Sequence, residues 1–273
     1  MSTNVVVTGA AHGIGAAIAA NFLAHGKTVL LVDINADLLR LTVASLQQQY
    51  PDAVAVGFVA DLSTLIGIES VVSKCLDLFH DLDCLVNNAA DQTVGSVFCT
   101  DEVQWSRTMF VNVTCPFLLV KGLIALLEQS KGSVVNIGSL VANQPIPGRV
   151  AYDVSKAAIA GLTRALAVDI GHLGIRVNAI APGHIMTNGA DAWRSTYSAE
   201  EQLIFPSSYA LGRVGHTDEV AKAVVFLASD SATFITGITL PVDGGMSVLC
   251  PETAVFNAVK LAKENPTVFA SQE

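Results

Sequence analysis

The sequence has few charged residues and no excess of positive charge. Charged residues make up 14% of its 273 residues, and 24 acidic side chains against 15 lysines and arginines give a formal net charge of −9. Without a Lys/Arg run, binding to nucleic acid through a basic surface is not expected. Disordered chains are highly charged and weakly hydrophobic, whereas 51% of this sequence is hydrophobic. We therefore expect one large α/β domain with a substantial buried core.

Paired cysteines, a leader segment and long apolar runs are also missing. The five cysteines are odd in number and show no C-x-x-C spacing, which favours free thiols in a reducing compartment over disulfides or a zinc site. The N-terminus, Met1–Asn4, lacks the charged region and cleavage site of a signal peptide. Charges or glycines interrupt every apolar stretch before the roughly 18 residues of a membrane span. We expect a soluble, cytoplasmic protein with no membrane partner and no metal.

Short β-branched runs alternate with longer segments rich in Ala and Leu. Strands without polar alternation are covered on both faces, as in a parallel sheet between two helix layers. The pattern predicts a Rossmann-like, doubly wound parallel sheet of about seven strands, with helices on both faces of a single domain. The predicted strands are Asn4–Thr8, Thr28–Val32, Ala53–Val59, Cys84–Asn87, Ser133–Ile137, Arg176–Ile180 and Thr239–Pro241. The predicted helices are Ala16–His25, Asp37–Gln49, Ile68–His80, Trp105–Gln129, Tyr152–His172 and Asp218–Ala228.

Two segments depart from this alternation. Residues 183–215 contain four aromatic residues but little strand pattern, and a long loop in a compact domain is often an active-site lid. The tail after Gly245 is the second, and Glu252–Lys263 in it is predicted to form a short helix. We therefore divide the chain into a domain over residues 1–246, which includes the loop at about 183–215, and a C-terminal extension over 247–273.

The first strand runs into a glycine-rich turn, Thr8–Gly15, ahead of an Ala-rich helix. Glycines let the backbone approach a pyrophosphate closely, and the helix N-terminus offers free N–H groups. The alternative is an ordinary strand–helix turn. Asp33 ends the second strand 20 residues beyond Gly13, where an acid can bind the adenosine ribose and repel a 2′-phosphate. These residues predict NAD, with NADP less favoured; His12 is mostly neutral at pH 7 and alters this little.

A tyrosine and a lysine lie four residues apart, Tyr152 and Lys156, in a predicted helix. Residues at this spacing share one helical face. A nearby cation stabilises a phenolate and brings a tyrosine toward acid/base work near neutral pH. The spacing alone is common, so its meaning depends on the surrounding motifs.

Together these motifs resemble the classical short-chain dehydrogenases/reductases along nearly the whole length, Asn4 to Gly245. Ala90 departs from the pattern, because the family has glycine there and alanine tolerates a positive φ poorly. The ordered matches are Thr8–Gly15, Asp61-Leu62, Asn87–Ala90, Asn112, Ser139, Tyr152 with Lys156, Pro182–Thr187 and Val242–Gly245.

The resemblance implies a role for each matching residue. Tyr152 would be the general acid/base, Lys156 would lower its pKa and bind the nicotinamide ribose, Ser139 would donate to the substrate oxygen, and Asn112 would hold a relay water. The residues that would contact the nucleotide are Gly9, His12, Gly13, Ile14, Gly15, Asp33, Asp61, Leu62, Asn88, Ala89, Tyr152, Lys156, Pro182, Gly183, Ile185 and Thr187.

The substrate side is less defined. Asn143, Gln144 and His184 can hydrogen-bond a hydroxylated substrate, Trp193 can form a wall, and Arg149 or Arg194 can bind an anionic group; each is alternatively a surface or lid-packing residue. The substrate candidates are Gln92, Ser139, Asn143, Gln144, Tyr152, His184, Trp193 and Arg194.

We expect hydride transfer between a secondary alcohol, as in a polyol, sugar or hydroxy acid, and its carbonyl form. The alternatives are a 3-oxoacyl or hydroxysteroid substrate and, in another class, a non-catalytic NAD-binding regulator. The resemblance also implies a homo-oligomer, with a tetramer favoured.

Overall fold

Seven parallel strands form one sheet in the computed structural model, which describes residues 4–187 and 198–265. The predicted doubly wound fold is confirmed, and the seven strands lie within two residues of their predicted ends. Two further short strands, β7 and β8, pair with each other outside this sheet. In chain order, the strands of the described residues are β1 (Asn4–Thr8), β2 (Thr28–Asp33), β3 (Val54–Val59), β4 (Cys84–Asn87), β5 (Ser133–Ile137), β6 (Arg176–Pro182), β7 (Ile185–Met186), β8 (Gly215–His216) and β9 (Thr239–Val242). The sheet order is β3-β2-β1-β4-β5-β6-β9.

Helices cover both faces of this sheet. The sequence alternation β1-α1-β2 and its repeats place successive helices on the two faces by right-handed crossovers. The helices are α1 (Gly13–Ala24), α2 (Ala36–Gln49), α3 (Leu65–Leu78), α4 (Glu102–Met109), α5 (Cys115–Ser130), α6 (Val150–Ile170), α7 (Ala199–Ile204), α8 (Thr217–Ala228) and α9 (Pro251–Glu264).

The core has two halves because alternate residues of a strand face opposite sides. Val5 and Val7 of β1 join the cluster beneath α1 and α8, whereas Val6 joins the cluster beneath α3 and α5. All three valines are fully buried. This explains the unbroken apolar runs from which the parallel sheet was predicted.

The predicted helix Trp105–Gln129 differs in its start and its interior. Asp101 caps α4, with its carboxylate accepting the Gln104 N–H, so the helix begins at Glu102. A π-helical turn over Phe110–Thr114 then separates α4 from α5. Together α4, this turn and α5 span Glu102–Ser130, a helical stretch long and apolar enough by length and composition to cross a membrane, although Lys121 and Gly122 interrupt its apolar run as the sequence indicates. Its Leu119 and Leu123 are fully buried in the core beneath the sheet, the usual position of a core helix in a globular domain.

The segment read as an irregular loop contains more regular structure than expected. Ser198 caps the short helix α7, and β7 pairs in parallel with β8. The tail carries the predicted helix as α9, which packs against α7 and the following turn, Phe205–Ser208. The C-terminal extension therefore lies against the loop that was predicted to cover the substrate.

Candidate active site

The glycine turn between β1 and α1 leaves no room for side chains at two positions. A Cβ atom on Gly15 would lie 2.1 Å from the Gly9 carbonyl oxygen, and one on Gly9 would lie 2.8 Å from the Ala89 Cα. Gly9 also has a φ of +62°, which favours glycine. His12 precedes α1 and makes no side-chain cap, so the first N–H groups of the helix can serve an anionic ligand.

A cleft of about 320 Å³ opens in front of this turn. It extends from the end of β2, past the turn, to the segment after β4. This brings together most of the residues that were predicted to contact a nucleotide, and the glycines supply the close backbone approach that a pyrophosphate requires. Those lining residues are Gly9, His12, Gly13, Ile14, Gly15, Asp33, Asp61, Leu62, Asn88, Ala89 and Thr187, with Gln92 from the substrate set.

One end of the cleft is acidic. The Asp33 carboxylate accepts the N–H groups of Ala11 and Asn35, each at 2.9 Å, which fixes its position. Hydrogen bonds from Ser63 lower the pKa of Asp61, so this second carboxylate is charged as well. The two acids suit hydroxyl donors of a ribose and oppose a phosphate group.

Asn88 lines the cleft and also stabilises the glycine turn through hydrogen bonds. Its side-chain amide donates to the carbonyl oxygens of Thr8 and Gly9, each at 2.9 Å. The Thr8 hydroxyl oxygen in return accepts the N–H groups of Asn88 and Ala89, each at 3.0 Å. The neighbouring Ala90 lies outside the positive-φ region, so alanine there fits an ordinary backbone.

Of the five predicted nucleotide contacts that do not line this cleft, Tyr152 and Lys156 lie in α6, and three lie at the end of β6 and just beyond it. The Ile185 side chain is buried in the core, and the buried Pro182 ends β6. Gly183 donates its N–H to the Val242 carbonyl at 3.0 Å. These residues act as the support from which Thr187 reaches the cleft.

The predicted catalytic side chains meet where β5 ends and α6 begins. Tyr152 lies in the first turn of α6 and is hydrogen-bonded to Ser139, which follows β5. The Lys156 ammonium donates to the Ile137 carbonyl at 2.7 Å and lies 5.5 Å from the centre of the Tyr152 ring. Tyr152 and Lys156 are both buried. The i, i+4 spacing has therefore produced the expected shared face.

Burial is the largest influence on the electrostatics of Tyr152. Burial raises the pKa of the Tyr152 phenol, and the positive charge of Arg149 and the Ser139 hydrogen bond oppose this. Burial also lowers the pKa of Lys156 to about 8. In this structure the Lys156 ammonium is hydrogen-bonded to the Ile137 carbonyl and lies beside the Tyr152 ring, and the expected effect of Lys156 on the Tyr152 pKa stays a prediction.

Asn112 lies in the π-helical turn, and both N–H groups of its amide are used. It donates to the Asp91 carbonyl at 2.9 Å and to the Ser155 hydroxyl at 2.8 Å, and it accepts the Asp91 N–H at 2.7 Å. Ser155 then donates to the Tyr152 carbonyl at 2.7 Å. This chain of hydrogen bonds joins the π-helical turn to α6, and the part of Ser155 in it has no signal in the sequence.

Asp91 also anchors the start of the segment that carries Gln92. Its carboxylate accepts hydrogen bonds from Thr93 and forms an ion pair with Arg107 at 2.7 Å. Burial opposes ionisation, but these donors together lower the pKa of Asp91. Arg107 lines the cleft as well, and its isolated position in α4 gave no sequence signal.

The substrate candidates are spread around this centre. His184 packs edge-on against Phe205, with ring centres 4.9 Å apart, and its backbone is hydrogen-bonded to the Tyr209 hydroxyl. Asn143 and Gln144 are exposed, and the Gln144 amide donates to the Ser247 carbonyl at 3.3 Å. Trp193 and Arg194 lie outside the described residues.

Among the described residues, the cysteines and the metal-ligating side chains form neither a disulfide nor a metal site. All five cysteines are unpaired, and Cys75, Cys84 and Cys115 are buried. Among residues 4–187 and 198–265, no group of three or more His, Cys, Asp or Glu side chains is placed to hold a metal ion.

Comparisons with known proteins agree with this geometry. A family model described as enoyl-(acyl carrier protein) reductase matches residues 9–247. The 2-(S)-hydroxypropyl-CoM dehydrogenase 3 of Xanthobacter autotrophicus is 39% identical over 248 residues, which cover 90% of this chain and 96% of the relative.

Two solved structures share the fold and the length. The L-sorbose reductase of Gluconobacter frateurii, in complex with NADPH and L-sorbose, gives a TM-score of 0.84 at 28% identity and covers 91% of this chain and 98% of its own. A short-chain dehydrogenase/reductase of Serratia marcescens, solved as a double mutant, gives 0.82 at 29% identity and covers 90% and 98%. The chain belongs to the short-chain dehydrogenase/reductase family. It is an oxidoreductase of the alcohol–carbonyl class that uses a pyridine nucleotide.

For a short-chain dehydrogenase/reductase, the described residues provide separate parts for binding and chemistry. The glycine turn and the α1 N-terminus suit a pyrophosphate, and Asp33 and Asp61 suit the adenosine end. Asn112 and Asp91 connect the cleft to the Tyr152 centre. At that centre, a buried phenol beside a hydroxyl and a buried ammonium can exchange a proton with a substrate oxygen.

Proposed function

We propose that the chain oxidises a secondary alcohol, or reduces the matching carbonyl, with Tyr152 as the general acid/base. One observation carries this proposal. The phenol of Tyr152 is hydrogen-bonded to Ser139 and buried beside Lys156, so a proton donor, a second hydroxyl and a cation share one site. Such a site can hold a carbonyl oxygen between two hydroxyl donors and protonate it.

The proposed steps use the chain's own groups. In reduction, Tyr152 gives its proton to the substrate oxygen and Ser139 donates a hydrogen bond that stabilises the developing charge; in oxidation, the tyrosine accepts the proton. A bound nicotinamide supplies or accepts the hydride. Lys156 stabilises the phenolate and returns a proton to it. Because both N–H groups of the Asn112 amide are already used, a relay water at Asn112 would donate to one of its oxygens, of the amide or of the main chain.

We propose NAD as the nucleotide. The support is the fixed negative charge of Asp33 at the end of β2, where it would repel a 2′-phosphate. The sorbose reductase of similar fold was solved with NADPH, so the preference of this chain rests on its own acidic cleft end.

We propose a small hydroxylated substrate, such as a polyol, sugar or hydroxy acid. The exposed amides of Asn143 and Gln144 and the half-buried His184 supply polar contacts at the edge of the site. The similar proteins act on a hydroxypropyl group and on L-sorbose, according to their names. The 3-oxoacyl and hydroxysteroid alternatives would need a larger apolar surface or a basic docking patch, and the net charge of −9 offers no support for the latter.

The test is turnover by the purified protein and by Tyr152→Phe. We expect reduction of NAD with one class among polyols, sugars, hydroxy acids and hydroxysteroids. The Phe variant should lose about 10²- to 10⁴-fold in kcat, with nucleotide affinity unchanged. Tyr50→Phe, which alters a tyrosine at the end of α2, should retain full activity.

Other outcomes would select the alternatives. Normal turnover by Tyr152→Phe would contradict the proposed mechanism. Turnover of 3-oxoacyl or enoyl thioesters in place of the alcohols would replace the proposed substrate. Tight NAD binding without turnover of any substrate would support the non-catalytic regulator.

We also propose a cytoplasmic homo-oligomer, with a tetramer favoured. Apolar side chains lie exposed on the helices that would meet in it, including Phe117 of α5 and Val154 and Val168 of α6. Exposed apolar surface of this kind is typical of protein interfaces. Light scattering on the purified protein would give the number of copies, and a monomer would contradict this proposal.

A further inference from the structure

Arg149 lies over the ring of the proposed acid/base. Its guanidinium carbon is 4.6 Å from the centre of the Tyr152 ring, closer than the Lys156 ammonium at 5.5 Å. Its Nε atom is buried and has no hydrogen-bond partner. From the sequence, Arg149 was considered only as a group that could bind an anionic substrate.

The backbone holds this arginine in place. Arg149 is the residue before α6, and it pairs with Gly95 in an isolated parallel bridge. The Gly95 N–H donates to the Gly148 carbonyl at 2.7 Å, and the Val150 N–H donates to the Gly95 carbonyl at 3.2 Å. The backbone of Arg149 is therefore held on both sides of its Cα atom, at a point from which its side chain lies over the Tyr152 ring.

Two other charged groups of α6 lie near Tyr152. The Asp153 carboxylate accepts the Ile146 N–H at 3.0 Å with one oxygen, its buried second oxygen has no hydrogen-bond partner, and the charge of Arg149 favours its ionised form. The Lys156 ammonium donates to the Ile137 carbonyl. Asp153 raises the pKa of Tyr152, whereas Arg149 lowers it. Arg149 takes part in none of the ion pairs of the described residues.

The elements packed against α6 bring other charges, and these are occupied or remote. On α4, Arg107 is paired with Asp91, and Glu102 is exposed in the first turn. On β6, Arg176 donates to the carbonyls at the end of α8. Arg149 is thus the cation most directly available to the Tyr152 ring.

We propose that Arg149 is a positioning residue that acts through Tyr152, its guanidinium stabilising the phenolate form from the face of the ring. A cation over an aromatic face is attracted to its electron density, and a phenolate ring carries more of that density than a phenol ring. Because burial disfavours the phenolate, Arg149 and Lys156 would together offset that cost. This inference rests on the proposed function, in which Tyr152 accepts a proton during alcohol oxidation.

The test is the pH profile of kcat/KM for alcohol oxidation by Arg149→Met. Loss of the cation raises the pKa of Tyr152, so a higher pH is needed to form the phenolate. We expect the acidic limb to move up by about 0.5 to 1 pH unit, which lowers kcat/KM on that limb about threefold to tenfold. The plateau at high pH should remain, and Arg149→Lys should recover part of the shift.

Arg164→Met is the matched control, because Arg164 is exposed on the same helix; its pH profile should follow the wild type. If Arg149→Met is poorly folded, an absorbance titration of the phenolate in Arg149→Gln, which also removes the cation, with Tyr152→Phe as the reference, gives the same comparison. An unmoved Tyr152 titration would overturn the inference.

Two results separate this inference from the proposed function. An inactive Tyr152→Phe with an unmoved limb in Arg149→Met would overturn the role of Arg149 and leave the proposed function in place. An Arg149→Met variant whose KM rises for anionic alcohols alone would also overturn the role of Arg149 and leave the proposed function in place, since the guanidinium would then bind substrate. An active Tyr152→Phe would overturn the proposed function first.

Discussion

The two ends of the active site are built in different ways. At the nucleotide end, backbone atoms touch backbone atoms, and a Cβ on Gly15 would lie 2.1 Å from the Gly9 carbonyl oxygen. At the substrate end, side chains from separate segments meet, as where His184 packs against Phe205. A backbone contact of this kind restricts the residue to glycine, whereas many pairs of side chains can fill the second arrangement.

The largest effect is expected at the nucleotide end, for Gly15→Ala. The new methyl group would collide with the Gly9 carbonyl oxygen and with the Asn88 side-chain amide, which two hydrogen bonds to the turn hold in place. We expect nucleotide affinity to fall by more than about 100-fold and stability to drop by about 1–3 kcal/mol. Calorimetric titration with NAD and thermal unfolding would measure both.

Gly161→Ala is the control for that change, because a Cβ there meets open space within α6. It should bind nucleotide normally and gain roughly 0.5–1 kcal/mol in stability. If Gly15→Ala and Gly161→Ala had the same effect on nucleotide affinity and stability, the close contact with the Gly9 carbonyl would not be what restricts the turn to glycine.

A smaller effect is expected for Asp33→Asn. Removing the charge weakens the repulsion of a 2′-phosphate, so the ratio of kcat/KM for NAD over NADP should fall by about 10- to 100-fold. Ala11 or Asn35 would lose a good acceptor, which costs about 1 kcal/mol of stability. Coenzyme kinetics on Asp33→Asn and on Asp37→Asn, an exposed acid of α2, would show whether position matters more than net charge.

The smallest effect is expected at the substrate end, for His184→Ala. The variant would lose the proposed hydrogen bond from the imidazole to the substrate and the ring contact with Phe205. The KM for the alcohol should therefore rise by about threefold to tenfold. The Kd for nucleotide should stay unchanged, because His184 does not line the cleft. His172→Ala, at an exposed position after α6, is the control; a change in nucleotide affinity for His184→Ala would show that the two ends are coupled.

This difference explains what could be predicted from the sequence. The glycine turn, Asp33 and the Tyr152–Lys156 pair were all identified, because each depends on residues close together in the chain or on a helical period. The strands of the sheet were predicted for the same reason, since two buried faces need unbroken apolar runs.

Other features depend on contacts between distant segments and left no local pattern. The guanidinium of Arg149 lies over the Tyr152 ring, and Gly95, more than 50 residues earlier in the chain, pairs with its backbone. The π-helical turn at Asn112 interrupts a helix that the apolar period had predicted as continuous from Trp105 to Gln129. The helix α7 was missed because its six residues are too few to show a period.

The bonds from Asn88 to the glycine turn also bear on the order in which the protein is made. The Asn88 amide holds the carbonyls of Thr8 and Gly9, residues that lie 80 and 79 positions earlier in the chain. A ribosome therefore releases the whole turn long before it supplies the side chain that fixes its shape. Contacts so distant in sequence close slowly, so a nascent chain that ends before β4 lacks the finished phosphate site. Capture of a growing chain by nucleotide would thus mark the moment at which β4 joins β1.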